Sequence, residues 1–315
     1  MNKFFKNTKL SLILLTCFSS LLFFTPTKTL AFPIYAQNAY KNPREANGRI
    51  VCANCHLAAK PAEFEAPTAI LPDSVFETVV GIPYDTSKKQ VLGSGQRGGL
   101  NVGAVMVLPE GFKIAPKDRM EPDLKKKMKG IYITPYSPTQ ENILVVGPID
   151  GEKHQEITFP LLSPNPETDK SVFYVKYPIY VGANRGRGQV YPTGDKTNNN
   201  VFTAVASGKV NEIKIVNDKD NQISITSTTG ETKTQTVPKE LALTIKTGQV
   251  VQVDQPVTEN PNVGGFGQAE TEFVLQSPAR IYGYLAFVVS VIISQAMFVF
   301  KKKQFEKVQI AELDF

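Results

Sequence analysis

The chain has few of the residues that crosslink proteins or bind metals. Among its 315 residues there are three cysteines and two histidines. Cys17 lies in an N-terminal segment that we expect to be removed, which leaves Cys52 and Cys55. One pair three positions apart excludes a long-range disulfide framework. An exported chain of about 250 residues does not need one, because it buries enough surface to be stable.

The chain also lacks a concentrated positive charge in its central part. The formal net charge is +6, but residues 1–31 carry four lysines and no acidic residue, and the segment after Phe300 carries a net +1. The segment between them therefore has a net charge of only +1. Proteins that bind nucleic acids need a strongly basic surface, so we do not expect a nucleic acid as partner.

Two apolar segments predict export and membrane anchoring. Residues 1–31 combine early lysines, an apolar run and a small-residue end at Ala31, which is typical of a signal peptide, so the mature chain should begin at Phe32. Residues 281–300 carry no charge and are long enough to cross a hydrocarbon core of roughly 30 Å as a helix. Three lysines follow this segment, so the tail 301–315 should stay on the stromal or cytoplasmic side.

Between these segments the sequence predicts strands rather than helices. Prolines and glycines separate short runs rich in Val, Ile, Tyr and Phe. The predicted strands are 74–82, 102–108, 142–146, 171–181, 209–216, 222–227, 241–253 and 271–275, and short helices or turns are predicted at 42–56 and 121–128. We expect a mainly β fold with two domains, because a glycine-rich and polar stretch interrupts the strands in mid-chain. These are a large β-sandwich, residues 32–199 completed by 258–280, and a small β domain, residues 200–257.

Residues 52–56 read Cys-Ala-Asn-Cys-His, the pattern for covalent attachment of a c-type haem. In a chain with so few Cys and His it arises by chance roughly 2 times in 10,000. Cys52 and Cys55 can each form a thioether to one porphyrin, and His56 then reaches the iron as an axial ligand. A thioredoxin-like dithiol would need a βαβ setting, and a zinc site would need two further ligands where only His154 remains. We therefore predict one covalent haem c and electron transfer.

The residues leave the second axial ligand open. Met106, Met120, Met128 and His154 are candidates by residue type. Met106 lies in an alternating strand, where methionine is more often a core residue, and His154 lies in a polar turn. A closed iron site indicates an electron carrier, whereas an open one would suit a haem enzyme such as a peroxidase. A structural subunit that carries haem only as a staple is the third alternative.

Five segments together resemble the cytochrome f family: residues 32–37, 52–58, 182–191, 260–267 and 301–308. The resemblance runs the length of the chain. It implies the c-type haem subunit of the cytochrome b6f complex, which is an electron carrier and not itself an enzyme. It also implies a single-pass protein of the thylakoid membrane, plastid or cyanobacterial, with both β domains in the lumen. The implied sixth ligand is the α-amino group of Phe32, a position where the family often has tyrosine.

The resemblance implies further roles for individual residues. Arg187 would lie near the haem, and an internal water chain would be held by Asn184, Gln189 and Asn199. A basic docking patch would comprise Lys88, Lys89, Arg97 and Lys209, with Gln96 where a cation is often found. The implied partners are the other cytochrome b6f subunits, including cytochrome b6 and the Rieske iron–sulfur protein as electron donor. Plastocyanin or a soluble cytochrome c would be the electron acceptor.

Overall fold

The computed structural model describes residues 34–216, 218 and 220–313. The expected signal peptide, its cleavage point after Ala31, and Phe32 therefore lie outside the described residues. The described part of the chain is mainly β, as the sequence predicts.

The strands are numbered here in chain order. They are β1 (Glu63–Glu65), β2 (Ala69–Ile70), β3 (Val75–Gly81), β4 (Gln90–Val91), β5 (Arg97–Gly98), β6 (Asn101–Val107), β7 (Lys113–Ile114), β8 (Ile133–Ser137), β9 (Gln140–Asp150), β10 (Glu156–Leu162), β11 (Lys176–Arg185), β12 (Gly208–Val216), β13 (Asp220–Thr226), β14 (Thr232–Pro238), β15 (Val250–Val251) and β16 (Gly265–Leu275). The helices are α1 (Ile34–Ala39), α2 (Pro122–Lys127) and α3 (Pro278–Leu313), with 3-10 turns η1 (Val51–Asn54) and η2 (Lys117–Arg119).

Two sheets form the large sandwich. One has the strand order β1-β3-β10-β7, and the other has the order β2-β16-β11-β6-β9-β8. Alternate side chains of both sheets meet in a single core, in which Phe159 of β10 and Phe273 of β16 are fully buried. Successive side chains of a strand point to opposite faces of its sheet, so every second residue enters this core. The alternation of apolar and polar residues in the predicted strands therefore agrees with a sandwich.

The other face of the six-stranded sheet is covered as well. Val105 and Val107 of β6 point to this outer face and pack in a second cluster with Ile50 and Phe266. Residues of η1 and α1 join the same cluster, so a short segment before β1 lies across the outside of the sandwich. The Cys-Ala-Asn-Cys-His motif lies in this covering segment.

A third sheet has the order β14-β13-β12-β15 and its own apolar core. That core includes Val91 of β4, which belongs in sequence to the large sandwich region. The small sheet therefore packs against the β4–β5 hairpin. The exact boundaries proposed for the two domains, residues 200 and 257, stay a prediction.

The C-terminal helix α3 is long and apolar enough to cross a membrane, and its side chains are exposed. It contains the predicted span 281–300 but continues to Leu313, so the residues after the three lysines are helical too.

Several element predictions were wrong in detail. The predicted strand 171–181 begins only at Lys176, because Asp169 accepts bonds from the amide and hydroxyl of Ser171, while Phe173 pairs locally with the hydroxyl of Tyr177. Of the predicted strand 241–253 only Val250–Val251 forms a strand, and Leu243 pairs with Thr258 in an isolated bridge. Within 42–56 only η1 is helical. Helix α1 was not predicted, and neither were strands β1, β2, β4, β5, β7, β8, β10 and β14.

Candidate functional site

The motif forms one tight turn on the outer face of the sandwich. The 3-10 helix η1 carries Cys52, and the amides of Cys55 and His56 both donate to the Cys52 carbonyl, at 3.2 and 3.0 Å. Val51, just before the first cysteine, is buried and anchors the turn in the protein. Both thiols and the imidazole therefore project from a single turn of backbone, as a group that must bind one porphyrin requires.

The two cysteines are free thiols in a partly buried setting. Burial raises the pKa of Cys52 to about 12, with the neighbouring Cys55 adding to the shift, and burial also raises the pKa of Cys55. Redox-active dithiols instead have thiol pKa values lowered by cations or helix N-termini. Within the described residues no group of three or more Cys, His, Asp or Glu side chains could hold a metal ion either. The geometry thus favours neither the dithiol nor the zinc alternative.

His56 has its two ring nitrogens in different environments. Nε2 lies 2.9 Å from the amide nitrogen of Asn184, whereas Nδ1 is buried with no hydrogen-bond partner among the described residues. Burial, together with the positive charge of Arg185, lowers the pKa of His56 to about 4. The ring is therefore neutral at pH 7, the form that binds metals, and it has one oriented and one unpaired nitrogen.

The segment after β11 lies directly against the motif. The Gln189 amide donates to the Cys55 carbonyl at 2.7 Å, and its side-chain oxygen accepts from the Leu57 amide at 2.9 Å. A Cβ at Gly188 would come within 3.2 Å of the Cys55 carbonyl oxygen, so this close approach favours glycine. The structure thus brings two predicted water-chain residues, Asn184 and Gln189, to the motif.

The third predicted water-chain residue lies farther along the same polar network. Asn199 is fully buried and donates to the Arg187 carbonyl at 2.9 Å, while its own side-chain oxygen is buried without a partner among the described residues. Arg187 is half-buried, and its guanidinium bonds to the Val91 carbonyl and to Asn198. Burial lowers the pKa of Arg187, and the neighbouring Tyr191 offsets part of that shift.

Helix α1 holds the start of the described chain beside the motif. Ala36 packs in the same apolar cluster as Cys52. The hydroxyl of Tyr136 lies 2.7 Å from the carbonyl oxygens of Ala36 and of Tyr40, and Gln37 donates to the Tyr136 carbonyl at 2.7 Å. Sequence reasoning missed Tyr136 because it is about 100 residues from its partners. In the sequence it is a single aromatic residue in a short polar segment, which indicates burial but not its partners.

The other candidates for the second axial ligand lie elsewhere. Met106 is fully buried inside the sandwich, on the opposite face of β6 from the motif. Met120 and Met128 pack in the clusters around α2 and the sandwich core. His154 is held in its turn by a contact of 2.9 Å between Nδ1 and the Asp150 carbonyl. None of these four side chains belongs to the cluster that supports the motif.

Known protein sequences match this chain over nearly its full length. Two family models, "Apocytochrome F, N-terminal" and "Apocytochrome F, C-terminal", match residues 32–186 and 198–315. Cytochrome f of Emiliania huxleyi is 60% identical over 314 residues, covering 100% of this chain and 99% of the relative. Cytochrome f of Porphyra purpurea is 57% identical over 305 residues, covering 97% and 95%, and that of Cyanophora paradoxa is 57% identical over 290 residues, covering 92% and 90%. The chain belongs to the cytochrome f family.

Cytochrome f is a c-type cytochrome, the haem subunit of the cytochrome b6f complex in photosynthetic electron transfer. Family membership together with α3 makes this chain a single-pass membrane protein and an electron carrier. The residues present fit a haem. Two thiols and a neutral imidazole project from one turn, and the buried Nδ1 of His56 has no protein partner among the described residues.

The basic residues expected in a docking patch lie on or beside the β4–β5 hairpin and on strand β12 of the small sheet. Lys88, Lys89 and Arg97 are exposed on or beside the β4–β5 hairpin. Lys209 is exposed on β12, next to Val210, which packs in the same core as Val91 of the hairpin. The charge of Lys89 is partly compensated, because its ammonium pairs with Glu152 at 2.8 Å.

Proposed function

We propose that this cytochrome f family member binds one haem c through Cys52 and Cys55, with His56 and the α-amino group of Phe32 as axial ligands. When bound, the haem supplies a one-electron iron couple. The protein would take electrons from the Rieske iron–sulfur protein beside cytochrome b6 and pass them to plastocyanin or a soluble cytochrome c. The bulk of the chain would lie in the thylakoid lumen, as the lysines after residue 300 favour.

The observation that carries this proposal is the anchoring of helix α1 beside the cysteine turn. Ala36 shares an apolar cluster with Cys52, and Ile34 is the first residue of the helix. Phe32 is two residues earlier, and two residues span at most about 7 Å. We infer that this length lets the α-amino group of Phe32 reach the motif. The fixed φ of Pro33 would restrict its direction further.

An amine ligand also sets conditions that the chain must meet. An α-amino group has a pKa near 8 and must lose its proton before it binds a metal. It does not exist until the peptide bond after Ala31 is cut. Protein groups would then occupy both axial positions of the iron and leave no place for a substrate. Such a closed site suits an electron carrier and not a haem enzyme.

The polar network supports the two remaining assignments. Side-chain amides both donate and accept hydrogen bonds, so Asn184, Gln189 and Asn199 are suited to hold a chain of internal waters leading from His56. Arg187 would offset negative charge near the haem, because its guanidinium is half-buried in the adjoining segment. Lys88, Lys89, Arg97 and Lys209 would form the docking patch for an acidic acceptor.

The decisive experiment compares two signal-cleavage variants of the full-length protein purified from membranes. Ala31→Leu replaces the small residue that cleavage requires, whereas Leu30→Val changes the preceding, less restricted position. We expect both proteins to carry covalent haem by mass spectrometry, and only Ala31→Leu to lose amine ligation in low-temperature spin resonance. Identical spectra would refute the Phe32 ligand, and absence of a haem-linked 52–56 peptide would refute the attachment site. Cyanide binding as tight in wild type as in an open haem enzyme would refute the carrier role.

A further inference from the structure

A fully buried arginine lies on the opposite side of β11 from the candidate haem. Arg185 is the last residue of β11, and its side chain follows Val181 and Ala183 on the face that points into the sandwich. It has no solvent exposure. Its neighbour Asn184 points to the other face and contacts His56. Arg185 is thus a buried cation one strand thickness away from the motif.

This arginine has no counterion among the described residues. One guanidinium nitrogen donates to the Pro61 carbonyl at 2.5 Å, but Nε and Nη1 are buried without any partner there. No described carboxylate lies within ion-pairing distance of it, since none of the ion pairs includes Arg185. Burial lowers the pKa of Arg185 to about 10, so it still carries its charge at neutral pH. Burying a charge without a counterion costs free energy. Such a charge therefore indicates a site that binds a group of opposite charge.

Arg185 lines a cavity of about 450 Å³ together with two lysines. Lys60 and Lys88 stand at its exposed edge. Tyr84 also lines it, and the Tyr84 hydroxyl is buried without a partner among the described residues. The one acidic residue in the lining is Asp85. The cavity therefore gathers three cations, one carboxylate and an unpaired hydroxyl.

The carboxylate of Asp85 is already engaged and does not neutralise Arg185. It accepts bonds from the Ser87 hydroxyl at 2.6 Å and from the Ser87 amide at 3.0 Å, and these bonds lower the pKa of Asp85. Positive charge around the cavity, with unused donors buried in its wall, suits a small oxyanion, because guanidinium and ammonium groups are its preferred partners.

We propose that this cavity is an anion site that binds a small inorganic oxyanion of the phosphate class through Arg185, with Lys60, Lys88 and the Tyr84 hydroxyl completing it. The bound anion would neutralise a buried positive charge close to His56. Because a buried cation favours the reduced haem, anion binding would lower the haem reduction potential. The electron carrier would then respond to the anion concentration around it.

The primary test is calorimetric titration of the full-length haem-containing protein in detergent with inorganic phosphate, at constant ionic strength. We expect saturable binding at one site, weakened about tenfold or more in Arg185→Gln. Lys88→Gln should weaken it about three- to fivefold, and Asp85→Asn should strengthen it by a similar factor. Lys113→Gln is the matched control, because Lys113 is an exposed lysine outside the cavity, and it should change nothing.

Spectroelectrochemistry gives an independent second readout. Phosphate should lower the reduction potential of wild type and of Lys113→Gln, and it should leave that of Arg185→Gln unchanged. Absence of saturable binding up to millimolar phosphate would overturn the proposal, as would equal binding by wild type and Arg185→Gln. If Arg185→Gln does not fold, an unchanged affinity in both Lys88→Gln and Asp85→Asn overturns it instead. Direct binding does not depend on which groups ligate the haem, so its failure is distinct from a failure of the proposed ligands.

Discussion

Replacing Tyr136 with phenylalanine should loosen the N-terminus without disturbing the haem attachment. The Tyr136 side chain is buried, and its hydroxyl lies 2.7 Å from the carbonyl oxygens of Ala36 and Tyr40. Burial raises the pKa of Tyr136 to about 12, so this hydroxyl stays a donor across the usable pH range. Phenylalanine keeps the ring in the apolar cluster and removes only the donor.

The size of the effect follows from the bonds that are lost. One hydroxyl donates fully to one carbonyl at a time, and the Ala36 carbonyl keeps a second donor, the Tyr40 amide, at 2.9 Å. The loss is therefore about one hydrogen bond plus partial desolvation of the Tyr40 carbonyl, or roughly 1–2 kcal/mol. That free energy raises the population of chains with a detached helix α1 by about 5- to 30-fold.

Imidazole binding to the oxidised protein measures this population. Under the proposed ligation an added ligand binds only where the Phe32 amine has left the iron, so its apparent affinity rises in proportion to the detached fraction. We expect Tyr136→Phe to bind imidazole about 5- to 30-fold more tightly than wild type, followed by the ligand-field absorption at pH 7. Tyr132→Phe is the control, since Tyr132 is 79% exposed. Equal imidazole affinity for the two variants, with haem intact in both, would refute the link between helix α1 and the ligand.

Three further predictions test the surroundings of the motif. Gly182→Ala would place a Cβ 2.8 Å from the Phe266 ring, and it should lower the Tm through a loss of about 1–3 kcal/mol in the free energy of unfolding. Gly93→Ala is the control and should unfold like wild type, because its Cβ would meet no atom closer than 3.7 Å. Asn184→Leu removes the 2.9 Å contact to His56 and should shift the haem reduction potential while leaving the covalent haem in place; an unchanged potential and spin-resonance spectrum would argue against this contact as a support of the ligand. The association rate with an acidic acceptor should depend only modestly on salt, because the central segment carries a net charge of +1. We expect a rate enhancement near the low end of the roughly 10 to 10³-fold range of electrostatic steering. A steep salt dependence of stopped-flow rates would contradict this.

The sequence was most informative where the chemistry is local. The five residues 52–56 form one turn, so their spacing alone predicts a shared cofactor. Strand alternation likewise predicts that Met106 faces a core, and the structure confirms that it points away from the motif. The mainly β class and the C-terminal helix follow from the same kind of local pattern.

Contacts between distant segments could not be predicted from composition or periodicity. Tyr136 reaches back 100 residues to Ala36, and Gln189 reaches back 132 residues to Leu57. Arg185 appears in sequence as one more residue of a glycine-rich loop, yet it ends a buried strand with its charge enclosed. Such positions depend on which strands become neighbours and in which register, and a single sequence does not state that.

The order in which this site is built follows from where its contacts originate. The cysteine turn is shaped by the buried Val51 and by the Gln189 amide, both of which are present before the signal peptide is removed. Helix α1 is held by Tyr136 and by Ala36, which likewise belong to the mature part of the chain. The proposed ligation then still needs the free amine of Phe32, which would form when the peptide bond after Ala31 is cut. We therefore expect haem attachment and folding to come first and axial ligation by the amine to come last. Ala31→Leu should accordingly block amine ligation while haem attachment still takes place.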